Sequence, residues 1–112
     1  MPLFLDEIEK RRKAEMEAIK ALAFQKARAI SEMLRARYGV KKVILFGSIV
    51  EGDYLHKGTD IDLLVEGLNP EDFLKAGAEA MKLASPFDVD MIPMEKADRL
   101  IKERAEKEGI SL

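Results

Sequence analysis

The 112-residue chain contains no cysteine, which excludes disulfides, thiol catalysis and thiolate metal sites. Histidine occurs once, at His56, and the side-chain amides are confined to Gln25 and Asn69. Scarce Asn and Gln beside abundant Lys and Glu is a composition found in thermophilic proteins. No apolar run approaches the ~18 residues needed to span a bilayer. The opening MPLFLDEIEKRRK also lacks the apolar segment of a secretory signal. A cytoplasmic protein with no membrane association is the simplest expectation. Neither sign of charge predominates: 19 basic residues face 21 acidic ones, for a net charge of −2. That balance argues against a nucleic-acid partner or an anionic membrane.

What the chain does have is enough apolar content, 47%, for a core within one domain. A chain of this length buries roughly 60–70% of its unfolded surface. Neither Gly nor Pro interrupts residues 6–38, and Ile19, Leu22, Ala23, Ala27, Ile30, Met33, Leu34 and Tyr38 recur at helical spacing. A long helix ending at Gly39 is expected. Val43–Phe46 reads as a central strand, 47–59 as a Gly-punctuated loop or short turn, and 60–65 as a second strand. Asn69-Pro70-Glu71-Asp72 has the form of a helix start, and Ser85-Pro86 of its end near Ala84. Residues 87–92 alternate as a third strand, and 95–108 form a last helix closed by Gly109 and Ile110. The expected class is α/β or α+β, a small mixed sheet with helices packed on it.

The chemistry concentrates between residues 43 and 92. Side chains alternate across a strand, so Asp60 and Asp62 share one face while Ile61, Leu63 and Val65 share the other. Asp88 and Asp90 repeat the pattern against Phe87, Val89 and Met91. Carboxylates two residues apart stand ~6–7 Å apart at their backbones and can converge on one volume. Such a group repels itself unless a cation joins it, and hard oxygen donors suit Mg²⁺. Two ions could stabilise both oxygens of an in-line displacement. At Gly47-Ser48, glycine lets a phosphate approach the backbone and the Ser48 hydroxyl can donate to it.

In this order, LFGS, then Gly52, then TDIDLLV, then FDVDMIP resembles the minimal nucleotidyltransferases of the DNA polymerase β superfamily. The resemblance covers residues 40–110. It implies residues 39–112 as the nucleotidyltransferase domain and 1–38 as a helical extension, in one compact unit. It further implies transfer of AMP from ATP, with Asp60, Asp62 and Asp90 as catalytic residues and ligands of two Mg²⁺ ions. Gly47 and Ser48 would bind the triphosphate, and Asp88 is the competing choice for third carboxylate. The implied acceptor is a HEPN-type partner protein, making this chain an antitoxin. A non-catalytic neutralising module and a nucleic-acid-tailing subunit are the other readings. Two departures from the family pattern stand out. Eleven residues separate Ser48 from Asp60, and Ile49, Val50 and Glu51 stand where a basic residue often follows Gly-Ser. Lys57 is a candidate substitute for that cation. His56, Tyr54 and the EKRRK run at 9–13 read as solvated surface, and Met81, Met91 and Met94 as core filling. Leu3, Phe4, Leu5 and Ile8, at the far end of a charged helix, point to docking on a second copy or a partner.

Overall fold

The uninterrupted opening segment forms a single helix, α1, over Pro2–Tyr38. The computed structural model describes all residues except Met1, Asp53, Tyr54, His56 and Lys57, and the side chains of Pro2 and Leu3. The expectations for Tyr54, His56 and Lys57 therefore lie outside the described residues. At 1.5 Å per residue α1 is about 55 Å long, close to the 58 Å longest extent of the molecule, whose other extents are 28 and 17 Å. One end must overhang. Its C-terminal half carries the apolar stripe: Ala23, Ala27, Ile30 and Leu34 are fully buried. Its N-terminal half is exposed, with Phe4 64% and Leu5 57% accessible. Gly39 ends the helix at φ 66, where its N–H donates to the Arg35 carbonyl and Val40 N–H to that of Leu34.

The remaining elements are β1 (Lys42–Phe46), α2 (Ser48–Glu51), β2 (Ile61–Glu66), α3 (Phe73–Ala84), β3 (Val89–Pro93), α4 (Arg99–Glu108) and β4 (Ile110–Ser111). They build a mixed four-stranded sheet in the order β3-β2-β1-β4. β1 runs antiparallel to β2 and β4, and β2 runs parallel to β3. The two-residue alternation sorts the strands into two faces. Val43, Leu45, Ile61, Leu63, Val65 and Met91 pack with α1 and with Ala76, Ala80 and Ala84 of α3. Each fully buried Leu, Ile or Val contributes on the order of 1.5–3 kcal/mol. The other face carries Ile44, Phe46, Leu64 and Ile92, covered by Ala105 and Ile101 of α4. Because α4 covers only this apolar part, the carboxylates at the end of the same face stay open to solvent.

Several boundaries differ from expectation. Within 47–59, read as a loop or short turn, Ser48–Glu51 folds as one helical turn whose buried Ile49 anchors it in the core. The Asn69-Pro70 start opens a 3₁₀ turn, Pro70–Asp72, before α3 proper. The last helix begins four residues late, at Arg99, where the Asp98 carboxylate accepts from Ile101 N–H. Ile110 is a strand residue paired with Leu45, not a helix-end contact. Met91 is buried and Met94 packs against the α4 side, but Met81 is 57% exposed because its position on α3 turns away from the sheet.

Gly109 differs in kind from Gly39. Its φ of −77 is open to any residue. Space is what excludes a side chain, since a Cβ there would overlap the Ala105 carbonyl oxygen and the Ile44 Cγ2 methyl. Replacing Gly by Ala gains ~0.4–1 kcal/mol through the unfolded chain, while overpacking costs about 1–3 kcal/mol. The clash wins, so Gly109→Ala should lower stability in urea unfolding. Gly77→Ala, in α3 with open space at the added methyl, should raise it by about 0.5–1 kcal/mol. A stabilising Gly109→Ala would contradict the packing of α4 and β4 on β1.

Candidate active site

The end of β1 and the starts of β2 and β3 meet at one corner of the sheet. Gly47 leaves β1 at φ 79 and ψ −149, a conformation essentially restricted to glycine. It is also buried directly against Asp62, whose carboxylate a Cβ at position 47 would overlap. The chain then turns through α2, and Val50 and Glu51 N–H donate back to the Gly47 carbonyl. Gly52 closes the turn at φ 76, with the Lys20 amino group of α1 close by. Ser48, the first residue of α2, is exposed.

Asp62 lies within β2, half-buried, opposite Phe46 on one side and Asp90 on the other. Asp62 and Asp90 are register partners on adjacent parallel strands, so their backbones are only about 4.8 Å apart. Asp60 sits just before β2 and is exposed, so it belongs to the approach to the strand and not to the strand itself. Asp88 likewise precedes β3, and its carbonyl accepts from Ile61 N–H at 2.8 Å. The Asp62 carboxyl is pushed up from its usual 3.8 to about 6, first by burial, then by the charges of Asp90 and Asp60, with Glu51 adding and Arg104 opposing. Asp60 and Asp90 thus both bear electrostatically on Asp62. Among the described residues, no group of three Asp, Glu or His side chains stands in ready ligand geometry. The donor set still fits a hard divalent cation, because the paired carboxylates are hard oxygen donors that repel one another and a cation would relieve that repulsion.

Two rim residues escape sequence reasoning. Arg104 of α4 donates to Glu51 of α2 through Nε at 3.2 Å and Nη2 at 2.9 Å to each carboxylate oxygen. In sequence Arg104 sits in KERAEKE, which reads as a solvated helix face. The only signal is the small Ala105 beside it, which lets α4 lie close on the sheet. A groove of about 670 Å³ is lined by Ala29, Met33, Glu79 and Leu83. It lies between α1 and α3, on the face away from the carboxylates.

Residues 27–112 match the family described as the nucleotidyltransferase domain. The chain belongs to that family. Its members usually use a nucleoside triphosphate and a divalent metal. A structure of a minimal nucleotidyltransferase is 26% identical with a TM-score of 0.65, covering 84% of this chain and 95% of that one. A toxin–antitoxin structure with AMP-PNP is 21% identical with a TM-score of 0.63, over 76% and 70% of the two chains. An MntA–HepT toxin–antitoxin structure is 19% identical with a TM-score of 0.59, over 78% and 68%. The last two carry the fold alone. No curated protein matches the chain. Among the described residues no helix is long and apolar enough to cross a membrane.

The Asp62 shift predicts how stability of this nucleotidyltransferase domain depends on pH without divalent ions. Between about pH 3.8 and 6 the folded protein holds a proton that the unfolded chain releases. Stability therefore falls as pH rises through that window, and the loss is complete above it. Asp62→Asn removes the titrating group. In thermal melts with a chelator, it should be more stable than wild type at pH 7, and the gain should vanish below pH 4. An Asn variant that gains nothing at pH 7 would contradict the crowding of Asp62.

Proposed function

We propose that the chain is a Mg²⁺-dependent nucleotidyltransferase that moves AMP from ATP to a hydroxyl on a HEPN-type partner protein, as an antitoxin. The observation that carries this reading is the register pairing of Asp62 with Asp90 beside a glycine with no room for a side chain. Asp60, Asp62 and Asp90 are the residues that would hold the metal. Bound there, divalent ions would offset the negative charge of the phosphates and of the carboxylates themselves. Gly47 and Ser48 would bind the triphosphate, with the exposed Ser48 hydroxyl placed to donate to it. The acceptor oxygen attacks the α-phosphorus, pyrophosphate leaves, and an Asp90 carboxylate oxygen takes the acceptor proton. Asp90 is favoured over Asp88 because it opposes Asp62 directly, whereas Asp88 precedes the strand.

A protein acceptor is supported by two things. Structures of similar fold are toxin–antitoxin assemblies, and the net charge of −2 gives no general attraction to nucleic acid. Exposed Phe4 and Leu5, on the overhanging end of α1, offer apolar surface to a partner or a second copy. The direct assay follows label from α-labelled ATP into the partner protein with Mg²⁺. Asp60→Asn, Asp62→Asn and Asp90→Asn should each abolish transfer, and Asp88→Asn should only reduce it. Undiminished transfer by Asp62→Asn or Asp90→Asn would end the catalytic assignment. Partner binding with no transfer by wild type would favour the non-catalytic neutralising module. Deleting residues 1–15 should leave nucleotide binding intact and weaken association in sedimentation. Unchanged association would remove the role assigned to the arm.

A further inference from the structure

The carboxylate corner has a difficulty that its acidic residues create for themselves. The charges of Asp90, Asp60 and Glu51 all bear on Asp62, and an ATP tail arriving there brings further negative charge. No cation follows Gly47-Ser48, because α2 reads Ser48-Ile49-Val50-Glu51. The cation comes instead from the far end of the chain. Ala105, 1% exposed, fixes α4 against Ile44, Phe46 and Leu64, on the sheet face that also bears Asp62 and Asp90. Its neighbour Arg104 thereby reaches α2, 53 residues away in sequence, and Glu51 grips it with three hydrogen bonds.

We propose that Arg104 is the phosphate-binding cation of this site, taking the place of the basic residue absent after Gly47-Ser48, and that Glu51 is its positioning residue. This rests on the nucleotidyltransferase reading above and deepens it. Glu51 occupies the Nε and Nη2 edge of the guanidinium. The Nη1 amino group makes no hydrogen bond to the described residues, and Glu108 lies 3.7 Å from Nε. A planar guanidinium held through Nε and Nη2, with Nη1 unpartnered among the described residues, is suited to receive a phosphate oxygen in a fixed direction. A purely structural role explains less. With side chains 50% and 42% exposed, the pair is a surface ion pair, a class that contributes little to stability. Lys20, the other described cation by α2, approaches at Gly52 from the α1 side, where the sheet face carries no carboxylates.

The test is calorimetric titration of ATP and of AMP into the full chain with Mg²⁺, for wild type, Arg104→Gln, Arg104→Lys and Glu51→Gln. Melting temperature is recorded in parallel. Loss of one charge-assisted contact to the β- or γ-phosphate should weaken ATP binding about tenfold or more in Arg104→Gln and leave AMP binding within about twofold. Arg104→Lys, which keeps the charge without the fork, should fall between. Glu51→Gln should weaken ATP binding less than Arg104→Gln, because the cation remains but is no longer held. ATP binding at wild-type strength by Arg104→Gln would overturn the role of Arg104 alone. Equal losses for ATP and AMP with a lower melting temperature would make Arg104 a structural staple and also overturn it. A wild-type chain that binds neither nucleotide would overturn the nucleotidyltransferase reading itself.

Discussion

Two carboxylates on register partners of adjacent parallel strands repel, and the corner around Asp62 and Asp90 is organised by how that repulsion is answered. Burial of Asp62 sharpens it, since a half-desolvated carboxylate cannot rely on water to screen its neighbours. A hydrophobic pair at these positions would be more stable in isolation. Keeping two aspartates there is a local conflict with the folding pattern, of the sort that marks functional sites.

The surrounding fold serves that corner. Gly47 exists in its conformation because a strand must end and a helical turn begin within one residue, with the Asp62 carboxylate where a side chain would be. Ile49 then ties α2 to the core, so Ser48 and Glu51 are presented from a fixed turn. On the same sheet face, α4 covers Ile44, Phe46 and Leu64 and stops short of the carboxylates. Packing thus divides one face into a dry half that stabilises and a wetter half that bears the carboxylates. The close seat of α4 depends on small residues, Ala105 and Gly109, and brings Arg104 to the rim.

The sheet's two faces, the long helix and the succession of the first three strands along the chain are legible in the sequence because each follows from periodicity. Asp62 and Asp90 are recognisable because carboxylates alternate with apolar residues over 60–63 and 87–91. What periodicity does not carry is register. That Asp90, not Asp88, faces Asp62 depends on where β3 starts, and a shift of two residues would look the same in the pattern. Local signals also mislead at ends. Gly109 reads as a left-handed helix stop, yet it is an extended residue kept small by Ile44 and Ala105. β4 has only two residues, Ile110 and Ser111, too few for alternation to register. The Arg104–Glu51 pair joins positions 53 residues apart, and no spacing rule along the chain could anticipate it.

The central claim is that the Asp62–Asp90 pair is built to hold a divalent cation. It is tested most directly by titrating Mn²⁺, as a paramagnetic substitute for Mg²⁺, and following loss of the free-ion resonance at pH 7.5 in wild type, Asp62→Asn, Asp90→Asn and Asp88→Asn. The account predicts saturable binding by wild type, retained by Asp88→Asn and lost in both Asp62→Asn and Asp90→Asn. Binding by Asp62→Asn or Asp90→Asn as tight as that of wild type, or none by wild type, would contradict it.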